Sequence, residues 1–153
     1  MPIEPLHLRL QIRRLPSSAG LPLPTYITAG AVGMDLHAAI DAEVTIAAGD
    51  VTLVPTGLAI AIPSGYEGQI RPRSGLAVAH SIGMPNAPAT IDSDYRGELR
   101  VPLINLGRAP FTVSRGMRIA QLVVAPVARV EWEEVTELPS TTRGAGGFGH
   151  SGV

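Results

Sequence analysis

The chain has 153 residues with 12 Lys and Arg against 13 Asp and Glu, and it has no Cys. That length fits one ordinary domain, able to bury roughly two-thirds of its unfolded surface without a disulfide or a metal. Absence of Cys excludes a disulfide framework and thiolate zinc sites, and a net charge of −1 gives no bulk attraction to nucleic acid or anionic membrane, so any phosphate binding must be local.

Met1-Pro-Ile-Glu-Pro-Leu-His7 lacks the basic start and apolar run of a signal peptide, and no later apolar stretch reaches membrane-spanning length. A soluble, cytoplasmic protein is expected. Leu6, Leu8, Leu10 and Ile12 alternate with His7, Arg9 and Gln11, the period-two pattern of a half-buried strand. Short apolar segments follow at 34–40, 44–46, 51–54, 57–62 and 66–71, separated by turn formers such as Ala48-Gly-Asp50 and Pro63-Ser-Gly65. One short helix is predicted from about Gly75 to Ile82, with Ser74 as N-cap and Gly83 ending it. Strand-like segments resume at 99–105, 111–113, 117–124 and 127–132. Strand spacing near ten residues predicts an all-β fold, a sandwich or jelly roll, with no repeat and no second domain. Residues 1–139 form that domain, and 140–153, rich in Gly and poor in apolar side chains, form a mobile arm.

Five segments carry candidate chemistry. Ala31-Val-Gly-Met-Asp-Leu-His-Ala-Ala39 sets Asp35 in apolar surroundings, where it either positions a hydrated cation or an Arg, or forms a structural ion pair with Arg118. Arg71-Pro-Arg-Ser-Gly-Leu-Ala77 puts two Arg and a Ser before the helix, whose first N–H groups are free donors for phosphate; a capped helix with surface arginines reads the same residues. Thr90-Ile-Asp-Ser-Asp-Tyr-Arg-Gly-Glu98 is in isolation a hairpin turn, but Asp92 also offers a carboxylate able to accept a proton from water. Arg115-Gly-Met-Arg-Ile-Ala-Gln-Leu-Val-Val124 presents the Gln121 amide. Arg143-Gly-Ala-Gly-Gly-Phe-Gly-His-Ser-Gly152 combines glycines whose N–H groups can converge on an anion, a guanidinium, and the Phe148 ring for stacking on a base; a frayed terminus reads the same residues. The four His residues are scattered, so direct protein ligation of a metal is not expected.

Pro72-Arg-Ser-Gly-Leu-Ala77, Ile91-Asp92 followed by Tyr95-Arg-Gly-Glu98, Arg118-Ile-Ala-Gln121 and Gly146-Gly-Phe-Gly149, in this order, resemble motifs of the trimeric dUTPase family. The resemblance spans residues 31 to 152. It implies a jelly-roll subunit in a homotrimer, active sites at subunit interfaces, and a C-terminal arm closing a site on another copy. It also implies hydrolysis of dUTP to dUMP and pyrophosphate, limiting uracil in DNA and supplying dUMP for thymidylate synthesis. Mg²⁺ would be held by the triphosphate and waters, with no direct protein ligand. Neither nucleic acid nor membrane is expected as a partner.

By the same resemblance Asp92 orients and deprotonates the attacking water, and Tyr95 lies under the deoxyribose and refuses a 2′-hydroxyl. Asn86 and main-chain groups near Thr90, Ile91 and Arg100 read uracil. Arg73, Ser74, Gly75 and Gln121 hold phosphates, with Asp35 and Arg118 in support. Arg143 reaches the γ-phosphate, Phe148 stacks over uracil, and Gly149, His150 and Ser151 complete the grip. Met34, Ala89 and Met117 depart from the family pattern. Of these Ala89 matters most, because a Cβ there is expected to narrow the uracil pocket. Two rivals stay open: a dCTP deaminase on the same fold, and a catalytically silent nucleotide-binding protein.

Overall fold

The computed structural model describes residues 7–150 and Gly152. Leu6, the first residue of the predicted N-terminal alternation, lies outside them. Besides a single 3-10 turn at Pro16–Ser18, eleven strands and one α-helix follow among the described residues in chain order: β1 (Gln11–Arg14), β2 (Met34–His37), β3 (Val44–Ile46), β4 (Val51–Pro55), β5 (Leu58–Ala61), β6 (Tyr66–Pro72), α1 (Ser74–His80), β7 (Ile82–Gly83), β8 (Ala89–Ile91), β9 (Arg100–Asn105), β10 (Phe111–Val113) and β11 (Arg118–Pro126). Every pairing is antiparallel. The ladders are β1–β5, β10–β3, β4–β9–β7, and a four-stranded sheet ordered β2–β11–β6–β8; among the described residues they do not join into a closed barrel.

Alternation decides what faces inward. Along β9, Val101, Leu103 and Asn105 are buried while Arg100 is exposed. With Leu36, Ile46, Ile70 and Ile119 these apolar residues form one core. Asn105 survives there because all its polar atoms are satisfied: its amide donates to the Ile46 and Ala109 carbonyls, and its Oδ1 accepts from Gly107 N–H.

Four expectations are corrected. β1 starts at Gln11, and all its residues are exposed, because among the described residues it pairs with β5 alone and nothing covers it. Ser74 is the first residue of α1 and not its cap; Arg73 holds the cap position without a side-chain bond. The helix stops at Ser81, which takes the left-handed conformation at φ 55, whereas Gly83 pairs with Ile104 as part of β7. Residues 127–132 form no strand: after Val127 N–H bonds to the Gly65 carbonyl the segment runs exposed, with Trp132 90% accessible. Among the described residues no helix is long and apolar enough to cross a membrane.

Candidate functional site

β11 lies between β2 and β6, and Gln121 falls opposite Asp35 on one side and Arg71 on the other. Because Ala120 and Leu122 point to the core, Gln121 and Asp35 share the outward face. There the chain leaves β6 through Pro72 and Arg73 into α1. The Asp35 carboxylate, 13% exposed, accepts from Arg73 Nε at 2.9 Å and from an Arg118 terminal nitrogen at 3.2 Å. One carboxylate thus orients two guanidinium groups and leaves a positive surplus.

Gln121 is fixed from two sides. Its Nε2 donates to the Pro72 carbonyl at 3.4 Å, and a Cβ at Gly33 would stand 2.7 Å from its Oε1. A cavity of about 310 Å³ opens here, lined by Asp35, Arg73, Ser74, Gly75, Arg118 and Gln121 together with Ile27, Ala31 and Gly33. Two oriented Arg side chains beside the free N–H groups of a helix start suit an oxyanion. His37 adds little charge, since burial pushes its pKa below the ordinary 6.5; Asp35 opposes that shift, and Arg118 and Arg73 reinforce it.

Across β6 the second group begins. Thr90 and Ile91 pair with Gln69 and Gly68. The chain then turns at Asp92, whose carbonyl accepts from Tyr95 N–H at 3.1 Å. Asp92 is exposed, and among the described residues no side-chain bond restrains its carboxylate. It faces a polar cavity of about 400 Å³, also lined by Tyr66, Glu67, Thr90, Ser93, Asp94 and Arg129. No residue lines both this cavity and the first.

Tyr95, Asn86, Ile91 and Arg100 line neither cavity. Tyr95 is exposed and donates its hydroxyl to the Glu98 carbonyl; Asn86 is exposed between β7 and β8. Ala89 overturns the expectation attached to it. Its side chain is buried in the core opposite Ile70, so the Cβ points away from the hairpin's outer surface. In the arm, Arg143 Nε donates to the Gly146 carbonyl, the His150 ring packs on Gly146, and Phe148 is fully exposed at φ 49. Arg143, Phe148, Gly149 and His150 line neither cavity, and Ser151 lies outside the described residues.

Three residues escaped the sequence reading: Gly33 behind Gln121, Arg129 beside Asp92, and Glu98, whose carboxylate accepts from Gly57 N–H and Arg100 Nε. A carboxylate between Gly97 and the apolar Leu99 was the available signal for Glu98. Arg129 carried none. Among the described residues no three His, Cys, Asp or Glu side chains cluster to hold a metal.

A family model described as dUTPase matches residues 19–152. The chain is 62% identical over 133 residues to the deoxyuridine 5′-triphosphate nucleotidohydrolase of Desulfotalea psychrophila, covering 87% of this chain and 89% of that one. Among solved structures it resembles the dUTPase of Staphylococcus bacteriophage 80alpha with dUPNHPP, at TM-score 0.85 and 26% identity over 95% of this chain and 99% of that one. A variant of the phage phi11 dUTPase of S. aureus, described with a structural Mg(II) ion, shares the fold at TM-score 0.75 and 22% identity, over 85% and 98% of the two chains.

Proposed function

The chain belongs to the dUTPase family and hydrolyses dUTP, and we propose that it does so as a homotrimer of jelly-roll subunits whose active sites each draw on more than one subunit. One observation carries the shared site. Asp92 and the Arg73–Gln121 group line separate cavities of one chain, yet the reaction needs a base and phosphate ligands on the same nucleotide. A second copy supplies the missing half.

In this reading Asp92 takes the proton of a water attacking the α-phosphorus, releasing dUMP and pyrophosphate. The unrestrained, exposed carboxylate supports it, since a base must meet water directly. Arg73, Ser74, Gly75 and Gln121 of another subunit hold the phosphates, with Asp35 aligning Arg73 and Arg118. Tyr95 lies beneath the deoxyribose. Asn86 and the main chain at Thr90, Ile91 and Arg100 read the uracil edge. Backbone donors at fixed spacing refuse cytosine, whose exchanged donor and acceptor would leave buried groups unpaired. The arm closes the site: Arg143 at the γ-phosphate, Phe148 over the base, and Gly149, His150 and Ser151 around the terminal oxygens. Mg²⁺ would be held by the substrate phosphates and waters, with no direct protein ligand, and would supply charge neutralisation at the triphosphate. The enzyme is assigned to the cytoplasm, where it acts on free nucleotide.

Mixing two inactive variants tests the shared site. Asp92→Asn should bind nucleotide while losing turnover by roughly three orders of magnitude or more, and Arg73→Gln should lose about two. Trimers refolded from an equal mixture should regain about a quarter of wild-type turnover, the chance that two independently drawn subunits supply both intact halves. No recovery would place both halves in one chain and overturn the shared site. Retained turnover in Asp92→Asn would overturn the base.

A further inference from the structure

We infer that Glu98 is the positioning residue for sugar selectivity, clamping the hairpin that carries Tyr95 to the body of the subunit. The inference rests on the reading of Tyr95 as the ring beneath the deoxyribose. That ring is fixed first against its own segment. Its hydroxyl donates to the Glu98 carbonyl at 2.9 Å, and a Cβ at Gly97 would run into the ring, so the ring lies directly against the Gly97 backbone. Wherever residues 97–98 go, Tyr95 follows.

The Glu98 side chain sets where they go. Only 12% exposed, its carboxylate accepts from Gly57 N–H at 2.9 Å through Oε1 and from Arg100 Nε at 2.9 Å through Oε2. Both are charge-assisted bonds, which hold geometry more tightly than neutral ones. Gly57, in the turn between β4 and β5, is itself immobilised. It sits at φ 66, its carbonyl accepts from Leu15 N–H at 2.8 Å, and a Cβ on it would meet the Ser18 Cβ at 2.6 Å. Leu99, buried beside it, pairs through its backbone with Leu58 and Thr56, which anchors the strand end but does not restrain the peptide between Gly97 and Glu98. The carboxylate of Glu98 supplies that restraint. Refusing one hydroxyl on a sugar demands a ring placed to a fraction of an ångström, and loss of such placement shows as lost discrimination more than as lost chemistry.

The test compares kcat and KM for dUTP and UTP in three variants of the full-length enzyme. Glu98→Ala should cut the dUTP-to-UTP ratio of kcat/KM by about tenfold or more and raise KM for dUTP, while kcat on dUTP changes by less than about threefold. Glu98→Gln, whose amide oxygen still accepts from Gly57 N–H but whose NH₂ cannot accept from Arg100 Nε, should lose clearly less of the ratio than Glu98→Ala, staying within about threefold of wild type in that ratio. A wild-type ratio in Glu98→Ala, alongside a reduced ratio in Tyr95→Ala, overturns the inference and leaves the Tyr95 reading standing. A wild-type ratio in Tyr95→Ala overturns that reading itself. Equal loss in the Gln and Ala variants would show that the ion pair with Arg100, and not the bond to Gly57, sets the ring, and overturns the clamp to the subunit body. Should Glu98→Ala fail to assemble, Glu98→Asp, one methylene short of Gly57, replaces it with the same expectation.

Discussion

His37 lies two residues along β2 from Asp35 and opposite Arg118 on β11. Burial holds its pKa below 6.5 in the folded protein, so as pH falls through 6.5 the unfolded chain takes up a proton before the native one does. Stability from this residue is therefore complete above pH 6.5 and is lost as pH falls toward the depressed native value. Denaturant midpoints measured from about pH 7.5 to about 5.5 should fall more steeply for wild type than for His37→Gln. Parallel slopes would refute the assignment. At this scale side-chain identity was legible and direction was not. The sequence presented Asp35 as either a structural partner of Arg118 or a site residue. In the fold it accepts from both Arg118 and Arg73, on the wall of the cavity that Ser74 and Gln121 also line, so the ion pair with Arg118 and the alignment of a second Arg coexist. Ala89 shows the opposite case. Its place in the motif suggested the uracil pocket, but strand parity beside Ile70 turns its Cβ into the core.

Elements were legible where pattern and pairing agree. The segments 44–46 and 111–113 emerge as β3 and β10, which among the described residues pair with each other alone. Residues 127–132 have a strand's pattern and no strand, because alternation reports which face would be apolar and says nothing about whether a neighbouring strand is available. β7 and β8 were missed for the converse reason: two and three residues long, they exist only through their partners β9 and β6. Among the described residues the hydrogen bonds of 140–153 run only within that segment, as from Gly144 N–H to the Thr141 side chain. Removing residues 140–153 therefore should leave the thermal midpoint and the assembly state unchanged while kcat/KM for dUTP falls by about two to three orders of magnitude. A truncated enzyme of full activity would reduce the arm to a frayed end.

For the whole molecule motif order was legible in the sequence, but of the five segments that read as one site four divide between two cavities and the C-terminal one lines neither. An exposed apolar face lies on the sheet β4–β9–β7. Its inner face buries Val54, Val101 and Leu103, while its outer face shows Val51 and Leu53, each about half exposed, opposite Ile104 and Pro102. Leu106, just beyond β9, extends the apolar surface. A contiguous exposed apolar face on a sheet marks an interaction site, and in the proposed trimer a copy of the same chain would cover it. Leu53→Asp would then place an unpaired carboxylate where water is excluded, raising the dissociation constant of the trimer by about a hundredfold or more. Sizing at low micromolar concentration should show monomer for this variant and trimer for wild type. Turnover should fall in step with dissociation and return at high protein concentration, because Asp92 and the Arg73 group work on one nucleotide only while copies stay together. A variant that remains trimeric moves the contact to another face; one that is monomeric and fully active removes the need for a shared site.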